Sequence, residues 1–190
     1  MFPQDAVRVT TSQTRADAEN EAFSPRHANS RPMSTSQTDD LPQLWTTADY
    51  QFGAGVGAAL FPENEEFEVK RSSSGRPQQV VADSGRLVTY GTDGRFTLGL
   101  EGGRRVAAAL DAPAGRVVVG DESEPFVREG KNVFAKFVAA VGPEVRPGDE
   151  VAIVHEDGSI LAVGRAELSA DAMTDFDTGM AVMVREGTDE

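Results

Sequence analysis

Gly130-Lys131-Asn132-Val133-Phe134-Ala135-Lys136-Phe137 carries two of the chain's three lysines, the third being Lys70. The chain has 18 Lys and Arg against 31 Asp and Glu, a formal net charge of −13. Two lysines within six residues therefore stand out from the background. Val133 to Val138 reads as a strand, with apolar residues bounded by polar ones. On a strand, Phe134 and Lys136 share one face while Val133, Ala135 and Phe137 share the other. A short helix is predicted just upstream. Ser123 suits its N-cap, Pro125 its first turn and Gly130 its C′ position.

Working outward, Arg116-Val117-Val118-Val119 is predicted to be a strand before that helix. Val145-Arg146-Pro147-Gly148-Asp149 is a turn. Val151 to His155 and Ile160 to Ala166 flank Glu156-Asp157-Gly158-Ser159 as a hairpin. Ser169 caps a second short helix carrying Met173 and Phe176, and Met180 to Arg185 is the last strand. Short strands joined by tight turns over residues 116–187 point to a small closed or half-closed barrel.

Residues 42–112 read as a separate small α+β unit. Thr46 and Asp49 resemble a capping box opening a helix that runs to about Leu60 and stops at Pro62. Tyr50, Ala54, Ala58 and Phe61 form its rough stripe. Gly53-Ala54-Gly55-Val56-Gly57-Ala58 matches a loose dinucleotide fingerprint. No buried strand precedes it, so its glycines read as a small-residue packing face and not as a nucleotide loop. Phe67–Arg71, Pro77–Ala82, Arg86–Tyr90 and Arg95–Leu98 follow as an antiparallel meander. A helix over Leu100–Leu110 and a linker at Asp111-Ala112-Pro113-Ala114-Gly115 complete the unit. The fold class expected is α+β: an antiparallel sheet with helices, then a β pseudobarrel. So few apolar side chains make the first core thin, and it is expected to lean on the second unit.

Residues 1–41 are polar and aperiodic and are expected to be disordered, with Met33 the natural start and residues 1–32 an upstream extension. No apolar run approaches the ~18 residues of a membrane span, and the first residues lack the apolar segment of a signal peptide. The expectation is a cytoplasmic protein with no membrane partner. Without cysteine there is no disulfide or thiolate metal site. Scattered acids, scarce lysine and absent cysteine fit the cytoplasm of an extreme halophile. In molar salt the Debye length shrinks to ~3 Å, so an acidic chain can still meet a polyanion through close contacts.

Four blocks in order resemble a PUA domain, an RNA-binding pseudobarrel: Gly130 to Val138, Pro143 to Val151, Leu161-Ala162-Val163-Gly164-Arg165-Ala166, and Met180 to Glu186. Ala48-Asp49-Tyr50-Gln51-Phe52-Gly53, Ala59-Leu60-Phe61-Pro62 and Asp93-Gly94-Arg95-Phe96-Thr97-Leu98 resemble the small domain that precedes PUA in archaeal tRNA-guanine transglycosylase and archaeosine synthase, which make archaeosine at position 15 of tRNA. The resemblance covers about residues 44–187. It implies that RNA, with the tRNA acceptor end expected, lies in the groove beside the first PUA helix and the strand after it. Gly130 would let a backbone approach, Lys131 and Lys136 would meet phosphates, and Phe134 would offer a surface to a base. Arg128, Arg165 and Arg185 are further RNA candidates.

Each of these residues also has a bland reading. Phe134 reads as core, the lysines as solvated edge residues, and the arginines as partners of acids such as Glu129, Glu167 and Glu186. Those transglycosylases carry a TIM-barrel catalytic domain with a carboxylate nucleophile and a cysteine-ligated zinc, for which this chain has no room. The implied role is a non-catalytic tRNA-binding protein, an accessory to a transglycosylase, with no cofactor and no metal. The alternative is a protein–protein scaffold on a PUA fold with no RNA role. No serine has an apparent histidine partner, His155 reads as a solvated hairpin corner, and the acids lack metal-site spacing.

Overall fold

The structure, a computed structural model, describes residues 35–189, with side chains from Asp40 onward. The expectations for Met33 and for residues 1–32 lie outside the described residues. Helix α1 spans Thr35–Phe52 and α2 spans Val56–Leu60. The helix thus begins eleven residues before the predicted Thr46 cap, and disorder does not extend to residue 41. Thr46 is interior: its hydroxyl donates to the Pro42 carbonyl, 2.7 Å away, as Thr47 does to Gln43. The core stripe of this helix is Leu41, Leu44 and Ala48; of the predicted stripe only Phe61 is buried, while Ala54 and Ala58 are exposed and Tyr50 is 93% exposed.

The glycines break the predicted single helix in two. Gly53 and Gly55 have φ of 121° and 86°, values that favour glycine. The Asp49 carboxylate then accepts the Gly57 N–H at 2.6 Å, so this acid serves the second helix and not the first. A Cβ on Gly57 would lie 2.6 Å from the Trp45 Cα, so the expected close packing is real at that one glycine. The Trp45 indole donates to the Phe61 carbonyl at 2.8 Å and fixes the helix pair.

The meander follows as read: β1 (Phe67–Arg71), β2 (Pro77–Ala82), β3 (Gly85–Tyr90) and β4 (Phe96–Leu98), antiparallel in that order. Helix α3, Leu100–Ala109, lies across β3, because a Cβ on Gly102 would sit 1.9 Å from the Leu87 carbonyl oxygen. The first core is Leu44, Val56, Leu60, Phe61, Phe67, Val80, Leu87, Phe96 and Leu98 among others, and Val163 of the second sheet closes it. The core is not the thin one expected, since this unit buries as many apolar residues as the second does, but it does lean on its neighbour. Gly103 of α3 leaves room for Val163, whose Cγ1 would be 2.3 Å from an added Cβ.

The second sheet comprises β5 (Arg116–Val119), β6 (Val133–Phe134), β7 (Val138–Val141), β8 (Glu150–His155), β9 (Ile160–Ala166) and β10 (Met180–Gly187). Helices α4 (Glu124–Arg128) and α5 (Ala170–Asp175) cover it, the latter capped by the Ser169 hydroxyl as predicted. The order is β6-β10-β9-β8-β5-β7, antiparallel except for the β5–β8 pair. The predicted strand over Val133–Val138 is split by a 3₁₀ turn at Ala135–Phe137. Its halves lie at opposite edges of the sheet, so one three-residue turn bridges the two edges and the sheet curls into a nearly closed barrel.

The two sheets meet at Glu150, 8% exposed. Its carboxylate accepts the Leu98 N–H of β4 at 3.1 Å and the Arg185 guanidinium of β10 at 2.5 Å. Burial raises the Glu150 carboxyl above its ordinary range, opposed by the Arg185 hydrogen bond and charge. A raised carboxyl adds stability below its unfolded range and loses it as pH rises through the folded value. Removing Arg185 raises it further. Arg185→Met should therefore cost about 2–3 kcal/mol near neutral pH, moderated by the 30% exposure of Arg185. The deficit should shrink towards pH ~4 as Glu150 is protonated. Urea unfolding at both pH values checks this, and a deficit independent of pH contradicts it.

Candidate functional site

Helix α4 ends in a complete Schellman motif. The Gly130 N–H donates to the Val127 carbonyl at 3.0 Å and the Lys131 N–H to the Phe126 carbonyl at 2.9 Å. Gly130 takes φ 79°, as its predicted C′ position requires. The last residue of β10 presses against this turn: a Cβ on Gly187 would lie 2.1 Å from the Arg128 oxygen and 2.7 Å from the Gly130 nitrogen. The backbone of the turn is thus fully committed, while the Lys131 side chain projects into solvent.

Asn132 extends the strand ladder without belonging to it. Its side-chain oxygen accepts the Val184 N–H at 3.0 Å, next to the point where β6 pairs Val133 with Val182 and Phe134 with Met180. Phe134 is 47% exposed, so it is not the core residue that its apolar neighbours suggested. Val133 and Ala135 take the core positions instead. Because the 3₁₀ turn starts at Ala135, the predicted shared strand face of Phe134 and Lys136 does not exist. Lys136 instead lies over the Phe137 ring, its Nζ 4.4 Å from the centroid. Phe126 of α4 is 59% exposed and Phe176 53%. Neither was read as a surface aromatic, and no periodicity on such short helices marks one.

The arginines divide. Arg128 is held by Glu124 at 2.8 Å and by the Thr188 hydroxyl at 3.0 Å, not by Glu129. Arg165 pairs with Glu167 as expected, at 2.7 Å. Arg185 pairs with Glu150, while Glu186 takes Arg86. Arg165 and Arg185 open into one polar cleft of about 310 Å³ at the seam between the sheets, together with Arg95, which the sequence did not single out. Two of the seven sequence candidates therefore lie apart from the Gly130–Lys136 segment.

Residues 42–113 match the family model described as the patch-forming domain C2 of tRNA-guanine transglycosylase, and residues 115–188 match the PUA domain. Residues 42–188 thus resemble a C2 domain followed by a PUA domain. The pair matches the C-terminal part of archaeal tRNA-guanine(15) transglycosylases. It is 46% identical over 148 residues to that of Pyrococcus furiosus and 43% over 150 residues to that of Methanothermobacter thermautotrophicus. Those matches take 77% and 78% of this chain but 25% and 23% of the relatives, so the chain spans about a quarter of their length. In fold it is similar to a hypothetical protein of Pyrococcus horikoshii, with TM-score 0.64, 20% identity and coverage of 80% and 92% of the two chains. A conserved PUA-domain protein of Thermoplasma acidophilum gives TM-score 0.59, 18% identity and 80% and 91% coverage.

Elsewhere on the PUA domain, His155 is not the solvated corner expected. Its side chain is 13% exposed, Nε2 lies 2.8 Å from Asp121 and Nδ1 lies 3.3 Å from Asp157. The Asp121 hydrogen bond, ahead of burial acting the other way, raises the imidazole above its ordinary range. The parallel pairing of Val119 with His155 sets Asp121, two residues on, against the ring. The group staples α4's leading loop to the β8–β9 hairpin. No helix among the described residues is long and apolar enough to cross a membrane.

The Schellman geometry separates the roles of Gly130 and Lys131. Gly130→Ala should cost about 1 kcal/mol through its positive φ. Lys131→Ala, which keeps the backbone N–H, should change stability by less than about 0.5 kcal/mol. Thermal unfolding of the two variants checks this. Equal losses would mean that the lysine side chain is structural.

Proposed function

We propose that this C2–PUA chain binds tRNA and positions it for modification, serving as an accessory to a tRNA-guanine transglycosylase. The observation that carries the reading is the 46% identity over 148 residues to the C-terminal part of an enzyme named for its tRNA substrate. The local surface supports it. Between Gly130 and Phe137 the chain presents Lys131, Lys136 and Phe134 outward while its backbone is fixed by the helix cap, by Asn132 and by pairing to β10. Phosphates meet the lysines as point charges, and Phe134 offers a ring face to a base. Gly130 keeps the turn low enough for a backbone to approach. Arg128 backs the helix, and Arg165 and Arg185 serve RNA further along. The mechanism is grip and placement, with no bond made or broken.

Charge repulsion sets the terms of binding. At net −13 the chain attracts a polyanion only where cations are presented, and salt reduces the penalty from the distant carboxylates. A tRNA transcript titrated against the full chain in graded KCl should give a slope of log K against log salt that falls by about 2 in Lys131→Ala/Lys136→Ala. Phe134→Ala should cost about 1–3 kcal/mol of binding. Equal slopes for wild type and the double variant overturn the lysine assignment. Absence of tRNA binding by the wild type, with retention of a transglycosylase in pull-down, returns the chain to the scaffold reading.

A further inference from the structure

We propose that the cleft between the C2 and PUA domains is a second phosphodiester-binding station, in which Arg95, Arg165 and Arg185 hold the RNA backbone as it crosses the seam. The proposal rests on the RNA-binding reading above and extends it to the C2 domain. Three guanidinium groups from three elements line one opening: Arg95 from the β3–β4 turn, Arg165 from β9 and Arg185 from β10. Few cations are available to this chain, so their convergence is notable against a net charge of −13.

Each guanidinium is already oriented by one carboxylate and keeps donors to spare. Arg95 gives Nη2 to Asp149 at 3.1 Å, leaving Nε and Nη1. Arg165 gives Nε and Nη2 to Glu167, leaving Nη1. Arg185 gives Nη1 to both Glu150 oxygens, leaving Nε and Nη2. The acids in the cleft already have partners. Asp93 accepts the Arg95 backbone N–H within its own turn, and Glu150 also holds the Leu98 N–H. The wall is rigid too, since the Gln51 amide makes paired 2.7 Å hydrogen bonds to the backbone N–H and carbonyl of Phe96. Forked donors held in place suit a phosphate group, which accepts from several N–H groups at once.

The cleft lies on the same strand as the first station. β10 pairs with Phe134 at Met180 and reaches the cleft at Arg185, five residues on, or ~17 Å at the usual strand rise. A single RNA backbone can contact both.

The test uses the full chain and an unmodified tRNA transcript. Arg95 is 49% and Arg165 42% exposed in the side chain, and each makes a surface ion pair, so Arg95→Ala and Arg165→Ala should fold with losses of less than about 1 kcal/mol. Each should lower the salt slope by about 1 and the pair by about 2, additively with Lys131→Ala/Lys136→Ala. Arg95→Lys should restore the slope but not the full affinity, because it keeps charge and loses the fork. If the arginine variants bind as wild type while the lysine variants are weakened, the cleft proposal falls and the RNA reading stands. If wild type binds no tRNA, both fall. Inorganic phosphate that raises the melting temperature of wild type but not of Arg95→Ala, with no change in tRNA slope, assigns the cleft to a free anion and overturns the RNA version.

Discussion

A buried carboxylate joins the two halves of this molecule. Glu150 opens β8, yet its hydrogen bonds reach the end of the neighbouring sheet's last strand, β4, through Leu98, and strand β10, through Arg185. Burial disfavours its charge, and the Arg185 guanidinium, the Leu98 amide and the Arg165 charge offset that cost only in part. The arrangement ties the C2 core to the barrel beside it. Val163 and the partly buried Ile160 enter it from β9, and Glu150 fixes how β8 and β4 approach. The seam is therefore both apolar and ionic, and the ionic part sets its register.

Barrel closure imposes the second constraint. The chain must leave the β6 edge and reappear at the β7 edge within three residues, which a 3₁₀ turn does with its smaller radius. A continuous strand would have paired along one edge only. The turn brings Ala135 and Val133 inward and leaves Phe134 out, with the Ala135 N–H anchored on the Gly179 carbonyl. Exposure of Phe134 thus follows from topology and not from its own polarity.

Most of the elements were legible because their signals are local. Phe67 to Lys70 alternates apolar with charged residues, Ser169 caps α5 through its hydroxyl, and Gly130 has the φ that its C′ position demands. Residues that depend on distant partners were not legible. The α1 start lay hidden because Leu41 and Leu44 are buried in a core that includes residues far along the chain, among them Phe67, Val80 and Phe96. Asp49 looked like the end of a capping box, but the N–H it accepts belongs to Gly57. Arg185 has an acid beside it in sequence, Glu186, and yet pairs with Glu150, because successive strand residues face opposite ways and Glu186 is turned towards Arg86. The lysine pair was visible from composition alone. The cleft was not, since Arg95 lies 70 residues before Arg165 and only the seam brings them together.

Each arginine proposed to meet RNA is paired with an acid, which bears on how so acidic a chain would do so. Taken singly, Arg165 with Glu167 and Arg185 with Glu150 look neutralised and silent. A guanidinium has five N–H donors, however, and a carboxylate occupies only one or two of them in each case here. The acid then removes the side-chain entropy that ordering a free arginine on a phosphate would cost. In low salt the same acids repel the ligand; in concentrated salt that repulsion is screened while the short hydrogen bonds are not. An acidic chain with preorganised arginines is thereby suited to hold a phosphate backbone by geometry where long-range attraction is weakest.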